Sequence, residues 1–137
     1  MNSEASTERV PAAESPDVAR TRWRTRDILV TAVIAVAFGV FFWAFGAAWN
    51  GLAVLGPTQN VFYGLWLLPA IVAPLIVRKP GAALFAETVA AALSALLGAQ
   101  WGVDTLLSGL MQGAAAEVVF ALAGYRRYGL TVVVAAS

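Results

Sequence analysis

Hydrophobic and polar positions fall into long blocks, not short alternating stripes. Residues 28–48 form an almost wholly apolar run of about 21 residues, and further apolar blocks cover about 61–77, 81–99 and 105–124. A helix rises about 1.5 Å per residue, so blocks of this size approach or reach the roughly 30 Å hydrocarbon thickness of a bilayer. The pattern predicts four membrane-spanning α-helices. The second block contains Pro69 and Pro74, which remove backbone donors and predict a kink or break. A fifth apolar run, "LTVVVAAS", stops at Ser137. It is too short to cross and reads as the start of a fifth helix in a longer membrane protein.

Composition sharpens this picture. Of 137 residues, 60% are hydrophobic and 12% charged, which places the chain outside the soluble globular class. Residues 1–18 are rich in Ser, Glu, Pro and Ala and lack apolar periodicity, so residues 1–22 are expected to be a disordered cytoplasmic tail before a membrane domain at 23–137. The basic run "RTRWRTRD" precedes the first block. That block exceeds a signal-peptide core and has no clear small-residue cleavage site, so it is expected to be retained.

The net charge of +1 says little, but the placement of charge says more. Arg20, Arg22, Arg24 and Arg26, then Arg78 and Lys79, then Arg126 and Arg127 occupy alternate connections, while 49–60 and 100–104 contain no Lys or Arg. The positive-inside rule therefore places the N-terminus in the cytoplasm.

Neither Cys nor His occurs, which excludes thiolate and imidazole chemistry and argues against an enzyme, a zinc centre or a resident cofactor. No GxxxxGK[ST] loop is present, so uphill movement of a solute would draw on an ion gradient or a partner. Nothing points to nucleic acid.

Two carboxylates interrupt the apolar blocks. Glu87 and Glu117 each lie roughly 10 Å from the cytoplasmic end of their span, counted along the helix, which predicts a shared layer. In contact they would favour a shared proton or a bound cation; separately, each would be hydrogen-bonded and hold helices together. Ser108 and Gln112 share one face of the fourth span, with Glu117 rotated about 140° from Gln112. Aromatic residues gather toward the outer half: Phe41, Phe42, Trp43, Phe45 and Trp49, then Phe62, Tyr63 and Trp66, then Trp101. They fit an interfacial belt. Beside Asn50, Gln59, Asn60, Gln100 and Asp104, however, Tyr63, Trp66 and Trp101 also suit a flat organic cation. Small residues at Thr31, Ala35 and Gly39 could dock another membrane subunit or the chain's own helices.

The motifs "YGLW", "RKPGAALFAE", "LLGAQWG" and "GLMQGAAAE", with "WRTRD" at the entry to the first span, make the chain from about Trp23 onward resemble the YkoE-type S components of energy-coupling factor (ECF) transporters. The resemblance implies an all-α membrane bundle, of which this chain holds four spans and the start of a fifth out of six, in a bacterial plasma membrane. It implies capture of thiamine or its hydroxymethylpyrimidine precursor from outside, with a transmembrane coupling subunit and two ATP-binding subunits as partners. On the matching motifs, Tyr63 and Trp66 are expected to stack on the ligand, Glu87 and Glu117 to bond to it or offset its charge, and Gln100, Trp101 and Gln112 to line the site. Thr31, Ala35 and Gly39 are the expected docking stripe. The alternative from another class is a small proton-coupled antiporter for organic cations, but such exporters carry their carboxylate in the first span, where none occurs between Asp27 and Glu87.

Overall fold

The computed structural model describes residues 21–125 and 128–136. Most of the expected tail, together with Arg20, Arg126, Arg127 and Ser137, lies outside the described residues. The elements, in order, are α1 (Thr25–Trp49), a 3-10 segment (Asn50–Leu67), α2 (Leu68–Val77), α3 (Ala82–Leu96), α4 (Val103–Leu122) and α5 (Leu130–Ala136). The chain is an all-α membrane bundle.

Helix α1 begins where Asp27 folds back: its Oδ2 accepts the Arg24 N–H at 3.0 Å, satisfying a donor that helix starts otherwise leave open. Along α1, Leu29, Val33, Val36, Val40 and Trp43 are exposed, an apolar stripe that only lipid or another membrane protein can cover. The opposite stripe, Thr31, Ala35, Gly39, Phe42 and Gly46, is buried.

This corrects the expectation that Thr31, Ala35 and Gly39 form a docking surface. Thr31 and Ala35 have no exposed area, and a Cβ on Gly39 would stand 2.9 Å from Leu93 Cβ and 3.0 Å from the Ala90 carbonyl oxygen. The small residues serve the chain's own packing, because in lipid close backbone approach stands in for the hydrophobic drive available in water.

Helix α3 is the central element, packed against α1, α2 and α4. Its buried positions are nearly all small: Ala82, Ala83, Ala86, Ala90, Ala91 and Ser94, with Glu87 among them. Helix α4 meets it with Gly109, Gly113 and Ala116, backed by Phe120. At Gly109 the approach is so close that a Cβ would stand 2.3 Å from that of Ala91. Phe120 joins Ala70, Ala83, Ala116 and Ala136 in a core at the arginine-bearing end of the bundle. At that same end Trp23 ties the start of α1 to the α2–α3 turn, its indole N–H donating to the Pro80 carbonyl at 2.9 Å and its ring meeting Phe85 edge-on at 6.1 Å.

The second apolar block differs most from its expectation. Only Leu68–Val77 is α-helical, ten residues or about 15 Å, half of a membrane thickness. Residues 50–67 wind as 3-10 helix broken at Gly56, whose φ of 57° is in the region glycine favours, with Pro57 next to it. Pro69 does not break a helix here. It stands in the first turn of α2, where its missing N–H has no helical partner to lose.

Candidate functional site

A short α2 has a direct chemical cost. Its first turn lies partway through the bundle, and a helix start leaves backbone donors without partners in a place where no water can serve them. Glu87 on α3 meets this need: its Oε2 accepts the Ala70 N–H at 3.0 Å. The carboxyl is 1% exposed and also forms part of the wall of a cavity of about 250 Å³, close to the lower end for small-molecule sites.

Aromatic rings form much of the cavity wall. Phe42 and Trp49 come from α1, Tyr63 and Trp66 from the 3-10 segment, and Trp101 from the α3–α4 turn. These rings brace one another: Trp66 lies 4.8 Å from Phe42 and 5.6 Å from Trp101 between centroids, and Trp49 lies 5.0 Å from Tyr63 and 6.5 Å from Trp101. Most of the contacts are edge-on or tilted, the arrangement aromatic pairs prefer, and this leaves ring faces for a guest.

The floor and far wall come from α3 and α4. Glu87 and Ala91 lie on one side; Asp104, Thr105, Ser108, Gly109 and Gln112 lie on the other. The α4 residues recur every three or four positions and so share one helical face. Thr105 Oγ1 is buried with no hydrogen-bond partner among the described residues, a hydroxyl that a ligand could use. The carboxylates stand at different depths, Glu87 nine residues in from the end of α3 and Asp104 in the first turn of α4.

Of the residues expected to bind substrate, the structure brings Tyr63, Trp66, Glu87, Trp101 and Gln112 to this cavity. It places Gln100 just outside: the side chain donates to the Gly46 carbonyl at 2.6 Å and accepts from Asn50 Nδ2 at 2.9 Å, securing the end of α1. Gln59 acts similarly on the Trp49 carbonyl at 2.8 Å.

Glu117 lies away from the cavity. Its Oε1 accepts from Gly81 N at 2.5 Å and from the Tyr125 hydroxyl at 2.6 Å, and its Oε2 from Ala83 N at 3.1 Å and Leu84 N at 3.4 Å. The shared layer expected for Glu87 and Glu117 is therefore not what forms. Glu117 is level with residues 81–84 of α3, whereas Glu87 packs against Gly113 and Gly109. Counting each glutamate from the end of its own span took the two ends as level. In fact α4 reaches a turn past the start of α3, because the open amides of α3 draw the Glu117 carboxylate to them. Burial, and then the bond and charge of Glu117, push the Tyr125 hydroxyl well above the usual tyrosine range, so it stays a donor.

Trp49, Asp104, Thr105 and Ser108 also line the cavity. The face that Ser108 shares with Gln112 on α4 was visible in the spacing; the place of Asp104 and Thr105 beside them, and the turning of Phe42 and Trp49 inward, were not.

Comparison with known proteins adds the following. Residues 26–137 match the family model described as "ABC-type cobalt transport system, permease component". Over 116 residues the chain is 35% identical to "Putative HMP/thiamine permease protein YkoE" of Bacillus subtilis (strain 168), covering 83% of this chain and 58% of that one. It superposes with a TM-score of 0.79 at 33% identity on "Crystal structure of an S-component of ECF transporter", covering 84% of this chain and 59% of that one. The chain thus spans somewhat over half the length of the relatives it matches.

Proposed function

Since the chain belongs to the ABC-type cobalt transport system permease family and is a YkoE-like S component of ECF transporters, we propose that its cavity captures thiamine or the hydroxymethylpyrimidine precursor. The observation that carries this reading is a box of five braced aromatic rings above one buried carboxyl group. A flat aminopyrimidine offers N–H donors to Glu87 and a π-face to Trp66 and Trp101, and the thiazolium of thiamine is a cation suited to Tyr63, Trp49 and the rim carboxylate Asp104. Gln112 and Thr105 supply neutral polar partners. Cobalt, the word in the family's title, is a poorer fit: such metals favour imidazole or thiolate ligands, and the sequence has no His or Cys.

In this reading the N-terminus is cytoplasmic and the aromatic end faces outside, so the cavity loads from the external medium. A transmembrane coupling subunit and two ATP-binding subunits then drive release inward, since the chain carries no nucleotide loop of its own. The antiporter alternative has no support from the family. Titration calorimetry of the detergent-purified protein with thiamine and with hydroxymethylpyrimidine tests the proposal; saturable binding of either supports it, and no heat with both ends it.

A further inference from the structure

Four bonds converge on Glu117, none of them from the cavity. Three come from backbone amides at the start of α3 and one from the Tyr125 hydroxyl beyond the end of α4. One turn along α4, toward the cavity, is Gly113, where a Cβ would stand 3.0 Å from Glu87 Cβ and 3.1 Å from Leu84 Cα. A further turn brings Gly109 against Ala91 and the Glu87 carbonyl. Glycine contacts of this kind hold two helices close without fixing their sliding position, because no side chain interlocks across them. Glu117 supplies the missing directional element: bonds to the amides of Gly81, Ala83 and Leu84 are made at only one offset of α4 along α3.

That same helix pair carries the cavity floor, with Glu87 and Ala91 on one helix and Thr105, Ser108 and Gln112 on the other. We infer that Glu117 is a positioning residue that sets the α3–α4 register and with it the placement of Glu87 opposite Gln112, without touching the ligand. Exchange for glutamine tests this sharply, since both carboxylate oxygens accept from N–H or O–H donors and an amide NH2 on either side would face a donor.

The inference rests on the thiamine reading of the cavity, and calorimetry separates the two. Glu117→Gln is expected to weaken binding about tenfold, the effect of losing one or two good hydrogen bonds at a register lock, at unchanged stoichiometry. The loss should be equal for cationic thiamine and neutral hydroxymethylpyrimidine; a residue touching the ligand would favour one of them. Gly113→Ala should weaken binding comparably, and the double variant should fall short of the product of the two losses, because both act on one register. Tyr125→Phe, which removes only a hydroxyl, should weaken binding a few-fold and serves if Glu117→Gln does not fold. Unchanged affinity in both Glu117→Gln and Tyr125→Phe, unequal losses for the two ligands, or strict multiplicativity of the two variants would overturn the inference while leaving the cavity assignment intact. Failure of the unaltered protein to bind either ligand would overturn both.

Discussion

Gly109 stands so near Ala91 that one added methyl group would lie 2.3 Å from the alanine's own. No rotamer change relieves a contact between two Cβ atoms, so the helices themselves must part. Gly109→Ala is expected to lower the thermal midpoint in detergent by the equivalent of about 1–3 kcal/mol, the usual range for overpacking, despite the better helix propensity of alanine. A midpoint equal to or above that of the unaltered protein would show that α3 and α4 are looser than described.

Glu87 has two duties, and two substitutions separate them. Glu87→Gln keeps an oxygen for the Ala70 N–H but replaces the other oxygen with an NH2 group that cannot accept; it should leave the thermal midpoint within a few degrees and weaken thiamine binding at least tenfold, about 1.4 kcal/mol. Glu87→Ala also leaves the Ala70 N–H unpaired within the bundle, adding about 1–3 kcal/mol of instability. Calorimetry and thermal unfolding of the pair give the comparison.

The aromatic box predicts a graded response. Trp66 touches both Phe42 and Trp101, so Trp66→Leu should weaken binding about tenfold, in line with loss of a stacking or cation–π partner. Thiamine should also quench indole fluorescence in the unaltered protein, and less so in this variant. An unquenched spectrum at saturating ligand would place the ligand elsewhere.

The stripe on α1 yields a result opposite to that of a docking surface. Ala35→Leu or Gly39→Leu should impair folding and membrane insertion even when the chain is expressed alone, because both positions are buried against α3. A variant that purified with full stability yet failed to join a coupling subunit would instead restore the docking role.

Tyr125 ties stability to alkaline pH. Burial and Glu117 raise the folded-state pKa of this hydroxyl, so the folded state favours the protonated form. The resulting stabilisation is complete below the ordinary tyrosine pKa of about 10 and is lost as pH rises from there toward the raised value. Thermal midpoints should therefore fall above about pH 10, with a shallower fall in Tyr125→Phe; identical alkaline limbs would contradict the Glu117–Tyr125 bond.

Much of the bundle was legible because membrane spans announce themselves by length. The limits of α1, α3 and α4 lie within a few residues of the apolar blocks, and the clusters holding Tyr63, Trp66 and Trp101 proved to face Glu87. What could not be read was register. Whether Glu117 sits beside Glu87 or a turn below depends on how far α4 slides along α3, and that offset follows from the Gly81, Ala83 and Leu84 amides that the carboxylate caps, which hydropathy does not record. The conversion of residues 50–67 to 3-10 helix was equally hidden. Pro69 pointed to a disturbance, but a proline starts a helix as readily as it breaks one, and only the Glu87–Ala70 bond shows which happened here.

The start of α2 inside the bundle has a further consequence for Glu87. A helix N-terminus carries roughly half a positive charge, and here it faces the Glu87 carboxylate at hydrogen-bonding distance. The Glu87 carboxyl thus keeps a backbone partner whether or not a guest is present, and on the thiamine reading a departing guest leaves that contact in place. An amide at the end of a short helix thereby supplies inside the bundle what water supplies outside it, a standing partner for a polar group.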